Sequence, residues 1–91
     1  MDIEITVPGL LAEYTGGRRR FALQAETLEE ALGRLLEQHP RLAPHLYDES
    51  RRLRPHVLMF FNDENLARMP NRGVALKPGD RLQILQAVSG G

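Results

Sequence analysis

Apolar residues recur along this chain with two periods, and each change of period marks an element boundary. Ile3, Ile5 and Val7 alternate with Asp2, Glu4 and Thr6, which predicts a strand buried on one face and ended by Pro8-Gly9. Positions 10–14 are mixed, and Thr15-Gly16-Gly17 predicts a turn, because glycine accepts the positive φ that a chain reversal requires. A second strand is expected over residues 19–24, with Phe21 and Leu23 inward and Arg18, Arg19 and Arg20 as solvated surface at its mouth. The two strands then form a hairpin with a long connection.

The period changes at Thr27-Leu28-Glu29-Glu30, a capping box in which the Thr27 hydroxyl serves the amide of Glu30 while the Glu30 carboxylate returns to the cap amide. Leu28, Ala31, Leu32, Leu35 and Leu36 fall on one stripe of the helix that follows, and Pro40 stops it near Gln38. Residues 39–55 hold Pro40, Pro44 and Pro55 and form a crossover with room for a short helical turn. Val57-Leu58-Met59-Phe60-Phe61 is too short for a helix and predicts a central strand. If Val57, Met59 and Phe61 meet the helix, the pleat places Leu58 and Phe60 on the opposite face, which no second helix covers. Pro70-Asn71-Arg72-Gly73 and Lys77-Pro78-Gly79-Asp80 are turns. A last strand over residues 81–87 points Leu82 and Ile84 one way and Leu85 the other. The order is β-β-α-β-short β-β, with no repeat or linker, so residues 1–91 are expected to form one domain.

Composition narrows the function classes. Ninety-one residues support one modest core, and the lack of cysteine removes disulfides, thiolate metal sites and a cysteine nucleophile. Twelve basic and twelve acidic residues give a formal net charge of zero, so neither nucleic acid nor an anionic membrane is an expected partner. No run approaches a membrane span, and Met1-Asp2-Ile3-Glu4 does not open as an export signal does, so a cytoplasmic protein is expected. His39, His45 and His56 lack metal-ligand spacing, and the acidic pairs Glu29-Glu30 and Asp63-Glu64 do not converge as an acid and a base would. No catalytic residue and no bound cofactor or metal is expected.

One group stands apart: the carboxylate of Gly91, at the end of Ala87-Val88-Ser89-Gly90-Gly91. Two terminal glycines without Cβ atoms make a slender, flexible tail over residues 88–91, able to enter a narrow channel; a frayed end is the plain alternative.

Together with Asn62-Asp63-Glu64, Leu76, Gly79-Asp80 and Ile84-Leu85, this ending resembles the ubiquitin-like sulfur carriers of the MoaD/ThiS type. The resemblance spans nearly the whole chain and is nearest to the carrier of cysteine biosynthesis. It implies an α+β β-grasp fold, a mixed sheet of four to five strands on one main helix in β-β-α-β-β order. It also implies that Gly91 is adenylated by an E1-like activating enzyme, which consumes the ATP, and is then converted to a thiocarboxylate. Gly90, Ser89 and Val88 would thread the partner's channel, and Leu58, Phe60, Leu66 and Leu85 are the candidates for a docking patch, with burial in the core as the other reading for them. The sulfur acceptor would be a synthase, of the cysteine synthase type or the large subunit of molybdopterin synthase. Two alternatives stand: a modifier conjugated to other proteins through Gly91, and a non-catalytic β-grasp binding module. Ser89 replaces the common alanine or threonine before the diglycine, and Leu85 stands where an aromatic is frequent.

Overall fold

A computed structural model describes residues 1–86, and the expected tail over 88–91 lies outside the described residues. Strand β1 (Asp2–Thr6) pairs antiparallel with β2 (Arg20–Gln24), setting Ile3 opposite Leu23 and Ile5 opposite Phe21. The last strand, β5 (Arg81–Gln86), lies parallel to β1 and antiparallel to β3 (Val57–Phe61), which carries the two-residue β4 (Glu64–Asn65) at the sheet edge. The sheet order is β2-β1-β5-β3-β4. This mixed sheet, packed on the helix α1 (Leu28–Gln38), is the expected β-grasp arrangement.

The core follows from the two periods. Ile3, Ile5, Leu23, Val57, Met59, Leu82 and Ile84 project from one face of the sheet into a cluster with Leu28, Ala31 and Leu35 of α1, while Leu32 and Leu36 flank it half-buried. Burial of each such aliphatic side chain stabilises the fold by about 1.5–3 kcal/mol relative to exposure.

The α1 start departs from the expected reciprocal box. The Thr27 hydroxyl accepts from the Glu30 amide at 3.1 Å, but the Glu30 carboxylate pairs with Arg34 at 2.9 Å, one turn on. The free amides of Leu28 and Glu29 are satisfied from outside the helix, by the carbonyls of Val74 (3.0 Å) and Arg72 (2.8 Å). Backbone carbonyls more than forty residues away thus satisfy the first-turn amides, and the Glu30 carboxylate pairs along the helix instead. Thr27→Ala is expected to lower stability by about 1 kcal/mol, measured by urea unfolding, with Glu30→Ala costing well under half of that.

Between β1 and β2 the mixed stretch forms a 3-10 helix, Gly9–Thr15, ended by Gly16 and Gly17 at φ 71° and 81°. Thr15 is buried, its hydroxyl within bonding distance of the carbonyls of Ala12 (3.1 Å) and Arg18 (2.6 Å). The crossover holds a 3-10 turn (Pro40–Leu42) and one helical turn, α2 (Ala43–Leu46), that drop Leu42 and Leu46 into the core.

Candidate functional site

Strand β5 occupies the middle of the sheet and leads to the chain end, so whatever fixes β5 fixes where residues 87–91 begin. Its entry is clamped. Asn62, at φ 56° in the turn between β3 and β4, donates its amide to Asp80 Oδ1 (3.2 Å), and its side-chain oxygen accepts from the Arg81 amide (3.1 Å). Asp80 Oδ2 in turn accepts from the Lys77 amide (2.8 Å), and Arg81 pairs with Asp63 at 3.0 Å. These polar residues close a turn whose strands are then held by ladder bonds on both sides of β5.

The outer face of the sheet carries the expected apolar group. Leu58 and Leu85 are cross-strand partners, each 38% exposed, and Phe60 beside them, opposite Gln83, is half-buried. Leu66 does not join them. It is 2% exposed and belongs to the core cluster, because a 3-10 turn (Leu66–Arg68) capped by the Asn65 side chain, which accepts from the Ala67 amide at 2.9 Å, turns it inward. The patch on the described surface is therefore Leu58, Phe60 and Leu85. Gly91, Gly90, Ser89 and Val88 lie outside the described residues.

The histidines are dispersed: His45 stacks on Tyr14 at 4.1 Å between ring centroids, and His39 meets Phe21 edge-on at 5.2 Å. Among the described residues no group of three His, Cys, Asp or Glu side chains could hold a metal, and no helix is long and apolar enough to cross a membrane. An open hollow of about 500 Å³ between α1, α2 and the following loop is floored by Leu36, Ala43, Pro44 and Tyr47. Burial pushes the Tyr47 phenol above its ordinary value near 10, with the Arg72 guanidinium opposing the shift. Tyr47 is thus a neutral wall of that hollow.

Sequence reasoning missed the stack of Tyr14, His45 and Arg41, whose guanidinium carbon lies 5.2 Å from the Tyr14 ring centre. Tyr14 is remote in sequence from Arg41 and His45 and meets them only because the 3-10 helix after β1 packs beside the crossover turns over residues 40–46.

Comparison with known proteins agrees with this geometry. The sulfur carrier protein CysO of Mycobacterium tuberculosis (strain ATCC 25618 / H37Rv) is 28% identical over 93 aligned residues that cover 100% of both chains. Among solved structures, SAMP1 from Haloferax volcanii is 28% identical with a TM-score of 0.76 and 100% coverage of both chains. A chain of the Amycolatopsis orientalis BexX/CysO complex is 27% identical with a TM-score of 0.78, over 98% of this chain and 99% of that one. The model of the ThiS family matches residues 5–91, from β1 through the terminal diglycine, and this chain belongs to that ubiquitin-like family.

Proposed function

We propose that this protein is a sulfur carrier whose working group is the carboxylate of Gly91. The observation that supports this most directly is that the family match runs through Gly91 and that CysO aligns over 100% of its own length, so the diglycine falls where the carrier ends. The domain is a carrier co-substrate, and the catalysis belongs to its partners.

The chemistry suits the residue. A terminal carboxylate has a reference pKa of roughly 3.3–3.7 and is ionised at neutral pH, where it is a poor electrophile. Attack of its oxygen on the α-phosphorus of ATP, held by a partner enzyme, expels pyrophosphate and leaves an acyl adenylate. A sulfide donor then bonds to the Gly91 carbonyl carbon and AMP departs with the electron pair, giving a thiocarboxylate. Glycine leaves that carbon unshielded on both sides. The resemblance to CysO favours cysteine synthesis as the destination: on a synthase the sulfur bonds to Cβ of an activated serine derivative, whose activating group leaves with the C–O electron pair, and the acyl group of the resulting thioester then moves from sulfur to the free amine to give an amide-linked cysteine. ATP is consumed by the partner and no cofactor is bound by the carrier. Leu58, Phe60 and Leu85 form the face on which partners dock, since they are adjacent on neighbouring strands and make one contiguous apolar patch that no helix among the described residues covers.

Incubating the full chain with ATP, an adenylating enzyme and a sulfide source, followed by intact-mass measurement, is expected to show one oxygen replaced by sulfur, mapped to the C-terminal peptide. An unchanged mass, with the enzyme active on another carrier, would sink the proposal. Likeness to SAMP1, named a small archaeal modifier protein, supports a second reading in which Gly91 is joined to lysines of other proteins. Immunoblots showing slower-migrating forms that vanish when Gly91 is removed would favour it.

A further inference from the structure

The formal net charge of zero conceals an uneven surface. Because β1 runs parallel to β5, with Thr6 beside Gln83, the segment after β1 lies at the end of the sheet from which residues 87–91 depart. Arg19 stands there, its carbonyl accepting from the Val7 amide (2.9 Å) and its guanidinium 3.8 Å from where a side chain on Gly9 would begin. Arg18 is adjacent, Arg41 lies over Tyr14, and Arg54 donates from Nε to the Pro44 carbonyl (2.8 Å). The Arg54 carbonyl accepts from the amide of Val57, the residue paired with Gln86 (3.0 Å). His39 packs on Phe21 and His45 on Tyr14; Glu13 and Glu37 are the nearest helix carboxylates, and Asp48 and Glu49 line the same hollow as Arg54. Among the described residues the salt bridges take up the N-terminus, Arg20, Arg34 and Arg81, and none takes up Arg18, Arg19, Arg41 or Arg54.

The type of cation is as uneven as its placement. The chain has eleven arginines and one lysine, and Lys77 sits in the turn that opens β5, at the far end of that strand. A guanidinium keeps its proton at any physiological pH and has no free lone pair, whereas a lysine amine, with a pKa near 10.4, is a nucleophile in its small neutral fraction.

We infer that this end of the sheet is an arginine collar that seats on an acidic rim around the channel of the protein that takes up the tail, and that it supplies positive charge there without offering an amine to the activated carboxylate. The inference rests on the carrier reading above. A protein that draws in residues 87–91 must close over the end of β5, so it meets these guanidiniums. Burying unpaired cations against a neutral or basic rim carries a desolvation penalty that carboxylates on the rim offset. A lysine in the same place would compete for the acyl group. Its nitrogen would bond to the Gly91 carbonyl carbon, AMP would leave with the electron pair, a proton would pass to solvent, and an internal amide would end the cycle.

The test uses the full chain and an adenylating enzyme that exchanges pyrophosphate into ATP in its presence. The R18Q/R19Q/R54Q chain is expected to show a KM for the carrier raised about tenfold or more at low salt, and a KM that responds less to added KCl than the native chain's. Because Arg54 is half-buried, R18Q/R19Q is measured beside it and is expected to show a smaller change in the same direction. The R18K/R19K/R54K chain is expected to recover the KM to within about twofold, since charge and steering return. In intact mass a fraction of it then appears one water lighter than the acid, with the cross-link mapped from the C-terminal peptide to a new lysine. An unchanged KM in both glutamine variants overturns the collar, and a lysine variant that forms no internal amide overturns the exclusion of amines. Salt-sensitive binding of the native chain to single-stranded DNA, with exchange unaffected in the variants, also overturns the inference and points to a polyanion. Absence of exchange with the native chain is a different result and counts against the carrier reading itself.

Discussion

Adding one alanine after Gly91 is expected to lower adenylation, measured as pyrophosphate exchange, by about 100-fold or more while leaving the thermal midpoint of the domain unchanged. Each extended residue adds roughly 3.3–3.6 Å, so the appended carboxylate stands that far beyond the position the native one would take in a channel of fixed depth. In-line attack on phosphorus tolerates little displacement, and a misplacement of about 1 Å can already cost about two orders of magnitude. The extra Cβ adds bulk beside the reacting carbon. Stability is expected to be spared because the core cluster of the described residues is built from positions between Ile3 and Ile84, which the appended residue leaves unchanged. The matching deletion of residues 90–91 shortens a tail whose full extension from residue 87 is on the order of 17 Å, and it should fail in the same assay. Native-like exchange by either variant would mean that the acyl terminus is not the working group. Unlike the KM effects expected of the docking face, this loss should persist at saturating carrier, because the reacting group is out of place in the complex.

Most of the sheet and its main helix are legible in the sequence because each residue's fate there depends on neighbours two, three or four positions away. Ile3 and Ile5 alternate with charges, and Leu28, Ala31 and Leu35 keep helical spacing, so burial follows from period alone. The strands missed no face: Leu82 and Ile84 point in and Leu85 out, as the alternation requires. What escaped reading was non-local. Nothing in residues 81–86 says that β5 lies between β1 and β3, parallel to one and antiparallel to the other, since that arrangement is fixed by the crossover and by the clamp from Asn62 to Asp80 and Arg81. The return of Glu30 to its cap failed for a related reason, as Val74 and Arg72, more than forty residues away, supply carbonyls to the first turn. Arg18, Arg19, Arg41 and Arg54 read individually as solvated surface, and only the parallel pairing of β1 with β5 gathers them at the end from which the tail leaves. The tail motif was legible for the opposite reason. Its chemistry lies in residue type and position, and it needs no packing to be seen.

Leu66→Ala is expected to destabilise the domain by about 2–5 kcal/mol, whereas Leu58→Ala and Leu85→Ala should each cost under about 1 kcal/mol. All three leucines are apolar positions on or beside the β3–β5 half of the sheet and read alike in sequence; the structure separates them by burial. Leu66 is 2% exposed in the turn that follows β4, and truncation leaves a cavity in the core cluster near Met59. For a domain of this length each kcal/mol moves the midpoint by roughly 4–8 °C, so the Leu66 variant should melt about 10 °C or more below the native chain. Leu58 and Leu85, at 38% exposure, lose only part of a cross-strand contact. Their cost is expected elsewhere. If partners cover this face, truncating either raises the KM in pyrophosphate exchange about fivefold or more, the scale of an apolar side chain buried at an interface centre, and leaves the rate at saturation unchanged. The double-mutant cycle of L58A with L85A should be non-additive, because each residue is the other's neighbour in the ladder. Stability losses at Leu58 and Leu85 as large as at Leu66, with no change in KM, would place them in the structural set and leave the outer face without a docking role. An unperturbed melting curve for Leu66→Ala would contradict the inward turn at Asn65, and with it the account of why the docking patch has three members and not four.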